Sequence, residues 1–344
     1  MESSNLAVTS ALASAAMLLV LMAGCANGGP WTPPGQLASP GSAPRADGAG
    51  DAGVPTTDGA PRAPWDASRD SSPADDSMAD APPAMEDGGP SDTGVGRSPS
   101  NDSCAAATSL VGAQGSRADS IDGAHRDSGG CGTGPDVFYE IDVPHRAVLY
   151  VDTFGTAFET HIALREPGCS GLPLACAGAA CGTTQSQLAA LVEPGTVIIV
   201  VHGTPATGAE PLHLRWELAR AASGLNTEVF GPGVHSGATT GTSAMSATCG
   251  GGAAAPEDAF YWTQCPGEAR SVEASTCSYA TTFDTVVHLG GSSVDVCADD
   301  DVSCLAGPLR STVSTTTVGP GVFIIAVDGF RPEDQGSYEL SLNW

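Results

Sequence analysis

Three consecutive carboxylates, Asp299, Asp300 and Asp301, are the residues in this chain best suited to hold an ion. Clustered carboxylate oxygens favour a hard cation, and Ca²⁺ takes about six to eight such ligands, so no cofactor is assigned beyond a candidate structural calcium. Asp328 is a candidate fourth ligand if strand order carries it to the same end. The opposing reading is a solvated acidic loop. Trp262 is the candidate ligand-binding aromatic. On an exposed strand face an indole stacks on a sugar or a protein ligand; turned inward it packs a core. The seven His residues (125, 145, 161, 202, 213, 235, 288) are scattered, with no two at i, i+4. There is no Gly-x-Ser-x-Gly elbow, no His-Glu-x₂-His and no phosphate loop. Gly48-Ala49-Gly50-Asp51-Ala52-Gly53 has dinucleotide-binding spacing, but no strand precedes it and no helix follows. No catalytic residue is assigned, and a non-enzymatic protein is expected.

Composition narrows the classes further. The 344 residues carry 13 basic and 39 acidic side chains, a net charge of −26. That sign excludes binding nucleic acid by phosphate neutralisation. All 13 basic residues are Arg, so every mechanism that needs a Lys is excluded. Eleven Cys point to an oxidising compartment. Gly (44) and Pro (26) are abundant, which favours turns and strands over helices.

The elements that must position these residues come in two copies. Asp136-Val137-Phe138-Tyr139 recurs as Asp258-Ala259-Phe260-Tyr261, and Phe158-Glu159-Thr160 as Phe283-Asp284-Thr285. The run Pro194 to Gly203 recurs as Pro320 to Gly329, and Leu212 to Trp216 as Leu340 to Trp344. The offsets grow in order, 122, 125, 126 and 128, as small loop insertions would make them. Short apolar runs at 137–143, 147–151, 161–164, 188–192, 197–201 and 212–218 read as strands. The expectation is an all-β chain of two tandem jelly-roll-like β-sandwiches, at 101–218 and 224–344. The 122 offset aligns Trp262 with Glu140, and a Glu is seldom fully inside, which makes an outer-face Trp262 a candidate for binding; packing in the core is the favoured reading.

Before the modules, residues 1–24 read as an export signal: Leu6 to Gly24 is an unbroken uncharged run of apolar and small residues. Leu21-Met22-Ala23-Gly24-Cys25 resembles a bacterial lipobox, which implies cleavage before Cys25 and acylation of its sulfur. A transmembrane helix is the rival reading. Ala26 after the cysteine implies, by the same resemblance to Gram-negative lipoproteins, an outer-membrane address. Residues 25–100 hold 13 of the 26 prolines, and 11 acids against 4 Arg. Too little apolar surface is present to offset ordering entropy, so a disordered tether is expected.

The modules are similar to the bacterial pre-peptidase C-terminal domain. The features that carry this are Asp-x-[Phe/Trp]-Tyr, Phe-[Asp/Glu]-Thr, the turn Cys297-Ala298-Asp299-Asp300-Asp301, Pro-Gly-x₂-Ile-Ile-x-Val-x-Gly and a Leu-x-Leu end. The first copy has Cys176-Ala177-Gly178 and Val201-His202-Gly203 at the acidic positions, so only the second is expected to carry an acidic site. The resemblance implies a jelly-roll-like sandwich and a non-catalytic accessory or surface protein.

Ten Cys remain after Cys25, five in each module, and export favours disulfides over metal. Expected pairs are Cys297 with Cys304, Cys176 with Cys181 (Cys169 being a rival partner), and Cys104 with Cys131. A hairpin at 266–269 would leave Cys277 about 23 Å from Cys265. The odd count per module suggests one bridge between modules. Together these readings predict a lipid-anchored envelope protein that binds an extracellular glycan or an envelope protein. The alternatives are a structural or assembly lipoprotein, and a secreted hydrolase with an unrecognised site.

Overall fold

The computed structural model describes residues 98–205, 210–245, 249, 255–291 and 294–344. The export signal, Cys25 and almost all of the tether lie outside the described residues. Among the described residues, eighteen strands and one short 3₁₀ turn (Cys104–Ala106) make an all-β fold. In the first half they are β1 (Thr108–Leu110), β2 (Gln114–Asp119), β3 (Asp136–Val143), β4 (Ala147–Asp152) and β5 (Thr160–Arg165). Then come β6 (Ala175–Ala177), β7 (Gln187–Val192), β8 (Gly195–Gly203) and β9 (Leu212–Arg220). The second half repeats the series as β10 (Asn226–Glu228), β11 (Gly233–Ala238), β12 (Asp258–Gln264), β13 (Ala269–Ser275) and β14 (Thr285–Gly291). It ends with β15 (Val294–Asp299), β16 (Thr312–Val318), β17 (Gly321–Gly329) and β18 (Ser337–Asn343).

Strand order makes each half a jelly roll. In the first, β2-β9-β4-β7 faces β3-β8-β5-β6, with β1 added parallel to β3 at the edge. In the second, β11-β18-β13-β16 faces β12-β17-β14-β15, with β10 parallel to β12. Inward residues of alternating strands fill each core. Tyr139, Ile141, Leu149, Ile162, Ile199 and Trp216 belong to one; Phe260, Trp262, Val287, Phe323, Ile325 and Leu340 belong to the other.

The register of the central strands decides between the two readings of Trp262 in favour of the core and corrects its alignment with Glu140. Ile141 pairs with Val197, and Trp262 pairs with Phe323, which is 126 residues beyond Val197. The structural counterpart of Trp262 is therefore Ile141, not Glu140. A one-residue slip moves every side chain to the opposite face. Trp262 is 2 % exposed and stacks between Phe323 and Trp344, so it packs the core and offers no outer face.

Both copies also bury the same hydroxyl cluster. Thr153 and Thr160 meet through their Oγ1 atoms at 2.6 Å, and Thr276 and Thr285 at 2.7 Å. Ser186 N and Ser311 N donate to Thr153 and Thr276 Oγ1 at 2.9 and 3.0 Å. The Ser186 and Ser311 hydroxyls donate to the carbonyls of Thr160 and Thr285. These bonds satisfy polar groups that burial would otherwise orphan, and they fix where β5 and β14 begin.

The five disulfides differ from the expected pairs. Cys104 joins Cys169, Cys131 joins Cys176, Cys181 joins Cys265, Cys249 joins Cys297 and Cys277 joins Cys304. Cys297 lies within β15 opposite His288, whereas Cys304 is in the loop beyond, so the two do not close the acidic turn. Cys176 likewise sits in β6 opposite Ala163. The odd cysteine of each half forms the bridge between them, Cys181–Cys265.

The two sandwiches pack sheet on sheet. Val148 and Tyr150, on the outer face of β4, meet Ala259, Tyr261, Val322 and Ile324 on the outer face of β12 and β17. This is why β17 is buried along all nine residues: one face fills its own core and the other the junction. The Arg215 guanidinium donates to Pro320 O at 2.6 Å, and Gln187 Nε2 to Gln264 O at 2.8 Å, across the same junction. In the first module the corresponding outer face, Phe138, Ile198 and Val200, is covered by the loops of Cys104, Cys131 and Cys169.

Candidate metal centre

Two loops at one end of the second module bring carboxylates together. One joins β13 to β14 (residues 276–284) and the other joins β15 to β16 (residues 300–311). The Cys277–Cys304 bridge staples them. Thr285 N donates to Leu309 O at 3.1 Å, Thr276 N to Ser311 O at 2.9 Å, and Arg310 Nη2 to Thr281 O. Asp284 ends the first loop, Asp299 ends β15, and Asp300 follows with a left-handed φ of 58°. That conformation is uncommon outside glycine, and Asp is among the residues that tolerate it.

An oxygen from each of Asp284, Asp299 and Asp300 lies within 4.8 Å of the others. Asp284 Oδ1 and Asp299 Oδ1 are buried and have no hydrogen-bond partner. Burial, and then the charges of Asp300, Asp299 and Asp334, push the Asp284 carboxyl up to about 6. Burial and the Asp300 charge also raise Asp299. Mutually repelling carboxylates with unused oxygens are the electrostatic complement of a divalent cation, which would relieve both costs.

Of the three carboxylates expected in the turn, Asp299 and Asp300 take part and Asp301 does not. Its Oδ1 accepts from Ser303 N at 2.9 Å and Ser303 Oγ at 2.6 Å, bonds that hold its carboxyl below the usual value. Asp301 shapes the turn, and Asp284 takes the third place. Asp284 lies 15 residues away in sequence and arrives because β14 pairs with β15, Val286 opposite Asp299. Its one visible signal was its place in the repeated Phe-[Asp/Glu]-Thr motif. Asp328 belongs elsewhere. It is buried in β17, accepts from Gly329 N at 2.7 Å, and is pushed up to about 7 by burial and the nearby Glu257 charge.

Among the described residues, the first module has no matching cluster. Aligning β5 with β14 and β6 with β15 by register puts Glu159, Gly178 and Ala179 at the positions of Asp284, Asp299 and Asp300. It holds instead a buried Ser-His-Asp grouping. Ser128 Oγ lies 2.7 Å from Asp136 Oδ2 and 3.3 Å from His202 Nε2, and His202 Nδ1 lies 3.5 Å from Asp136 Oδ2. The hydroxyl donates to the carboxylate, not to the imidazole, so it is not set up as a nucleophile. Asp136 also accepts from Asp127 N and Ser128 N, and so acts as the cap of a loop.

No protein-family model matches the sequence, and no curated protein does. Among solved structures, a pre-peptidase C-terminal domain of collagenase from Bacillus anthracis matches at 11% identity and TM-score 0.24. That match covers 34% of this chain and 94% of that one. The CUB1-EGF-CUB2 domains of rat MASP-1 match at 8% identity and TM-score 0.22, over 69% of this chain and all of that one. The full extracellular region of zebrafish Gpr126/Adgrg6 matches at 9% identity and TM-score 0.22, over 69% and 36%. The β-sandwich assignment rests on the strand order and the two cores described above.

Proposed function

We propose that this chain is an exported, non-catalytic binding protein, anchored through acylated Cys25, whose second module binds Ca²⁺ between Asp284, Asp299 and Asp300. The first module braces the second, covering the outer face of β12 and β17. The anchor reading is supported by the lipobox-like run before Cys25, and the envelope location by the disulfide-bonded cysteines. The observation that carries the binding reading is the contrast between the copies. Three carboxylates with two orphaned oxygens converge in one, and nothing comparable stands at the same positions in the other. Burial of Trp262 withdraws the aromatic surface expected to stack on a glycan, and the ligand-binding role passes to the metal-holding loops.

Calcium titration by calorimetry, with a thermal melt alongside, tests this. Calcium should bind at one site and raise the melting temperature, because an ion that binds only the folded state stabilises it. Asp299→Asn should abolish both effects, whereas Asp301→Asn should leave binding in place. No heat and no shift in the wild-type protein would remove the metal from the reading. Loss of membrane association on Cys25→Ser would support the anchor.

A further inference from the structure

The loops that gather the carboxylates also push apolar side chains into water. Val302 is 90% exposed, Leu305 91% and Tyr279 83%. They form one tip. Val302 and Leu305 follow the Asp299–Asp301 turn in the same loop, and the Tyr279 hydroxyl donates to Leu305 O at 3.3 Å. The Cys277–Cys304 bridge stands beside both Tyr279 and Leu305, so the tip is held out by a covalent staple. In the first module the corresponding loops, 153–159 and 178–186, carry no exposed large apolar side chain. The carboxylate cluster and the apolar tip therefore occur together in one copy and are missing together in the other. That joint occurrence points to a single partner that uses both.

We infer that this tip docks on a phospholipid surface, with Ca²⁺ bridging the carboxylates to headgroup phosphate while Val302, Leu305 and Tyr279 enter the apolar layer. This rests on the calcium reading above. Three carboxylates leave part of the coordination shell of Ca²⁺ open, and phosphate oxygens are hard ligands of the kind it takes. Aliphatic tips have nothing to offer a glycan and gain only by leaving water. Tyrosine suits the boundary between headgroups and acyl chains. A bilayer presents phosphate directly above an apolar layer, in the order in which the loops present metal and tip. It is also within reach: 72 residues separate Cys25 from Ser98. Charge makes the docking conditional. A chain of net charge −26, with three Asp at its tip, repels an anionic surface until a cation intervenes.

The test uses the oxidised compact unit 85–344, which contains all eighteen strands and lacks Cys25. It is spun down with vesicles of phosphatidylethanolamine and phosphatidylglycerol, in calcium or in EGTA, and calcium uptake is measured separately by calorimetry. The expected result is co-sedimentation in calcium and none in EGTA. The double variant Val302→Ser, Leu305→Ser should lower vesicle partitioning by about tenfold or more while calcium uptake is unchanged. Both residues are exposed, so the variant retains the fold. Calcium uptake without vesicle binding would overturn lipid docking, leave the metal reading intact and make the tip a protein contact. Vesicle binding that the double variant retains would overturn it too. Absence of calcium uptake would fail the metal reading itself.

Discussion

Single residues in the second module carry costs that the first module avoids. By register, Asp136 and His202 in β3 and β8 correspond to Glu257 and Asp328 in the second copy. A carboxylate beside an imidazole has become a carboxylate beside a carboxylate. Glu257 accepts from Ser223, Ala244 and Met245 backbone N–H groups, which favours its charged form, although burial raises its pKa. Asp328 has one such donor and titrates near 7; His288, whose Nε2 lies 4.0 Å away, is held toward its neutral form by burial. Unfolded, Asp328 loses its proton near its ordinary value of 3.8; folded, it keeps the proton to about 7. Between those values the native state binds the extra proton, so this group makes stability fall as pH rises through the window. Asp328→Asn should therefore raise the melting temperature at pH 8 and make little difference at pH 3.5, read by thermal melts across that range. A variant less stable than wild type at pH 8 would show that the charged form is better served than its surroundings indicate. Trp262→Ala belongs to the same scale. Its cost should be about 3–5 kcal/mol in urea, the loss expected of a buried aromatic, with calcium affinity unchanged.

At the scale of elements, the paired strands of the cores were legible in the sequence and their edges were not. Short apolar runs marked β3, β4, β5, β7, β8 and β9, because each has at least one face that must be buried. β2, Gln114-Gly-Ser-Arg-Ala-Asp, has no such face, and β1, β6 and β10 are three residues long, too short for a period to show. Aligning the copies by their Asp-x-Phe-Tyr letters placed Trp262 one residue out of register, and a slip of one is the error that exchanges inside for outside. Cysteine spacing could not reveal the bridges, since Cys131–Cys176 and Cys249–Cys297 depend on how loops return to the sheet. Asp284 was hidden for the same reason: strand pairing brings it beside Asp299, not proximity in sequence. The repeated Thr-Thr-Ser cluster went unread because hydroxyl residues are common in turns and carry no periodic signal. Removing one member takes a hydrogen bond from its buried neighbours, which keep the others. Thr285→Val or Ser311→Ala should cost about 1–3 kcal/mol each by urea denaturation. Either value near zero would show that the second module tolerates loss of the cluster.

For the whole molecule, the junction decides whether two sandwiches behave as one body. Besides the polar ties of Arg215 and Gln187, three others act there: the apolar contact of Val148 and Tyr150 with Tyr261, Val322 and Ile324, the Cys181–Cys265 bridge, and the short linker between β9 and β10. The linker is held down by Arg146, whose Nη1 donates to Gly224 O at 3.1 Å. A short linker keeps the two faces at high effective concentration, so a modest apolar patch suffices to hold them together. The bridge spans 84 residues, and closing a loop of that size in the unfolded chain is worth about 4–5 kcal/mol as an upper bound. Cys181→Ser with Cys265→Ser should accordingly lower global stability yet leave the particle compact in small-angle scattering, because the apolar contact remains. Tyr261→Glu alone should also leave it compact, since the bridge remains. The triple variant should extend the particle while each module keeps its β-sheet circular dichroism. If it stays compact, the polar ties of Arg215 to Pro320 and Gln187 to Gln264 are enough to hold the sandwiches together. If the bridge-less double variant already extends, the disulfide alone sets their arrangement, and reducing conditions would free the second module from its brace.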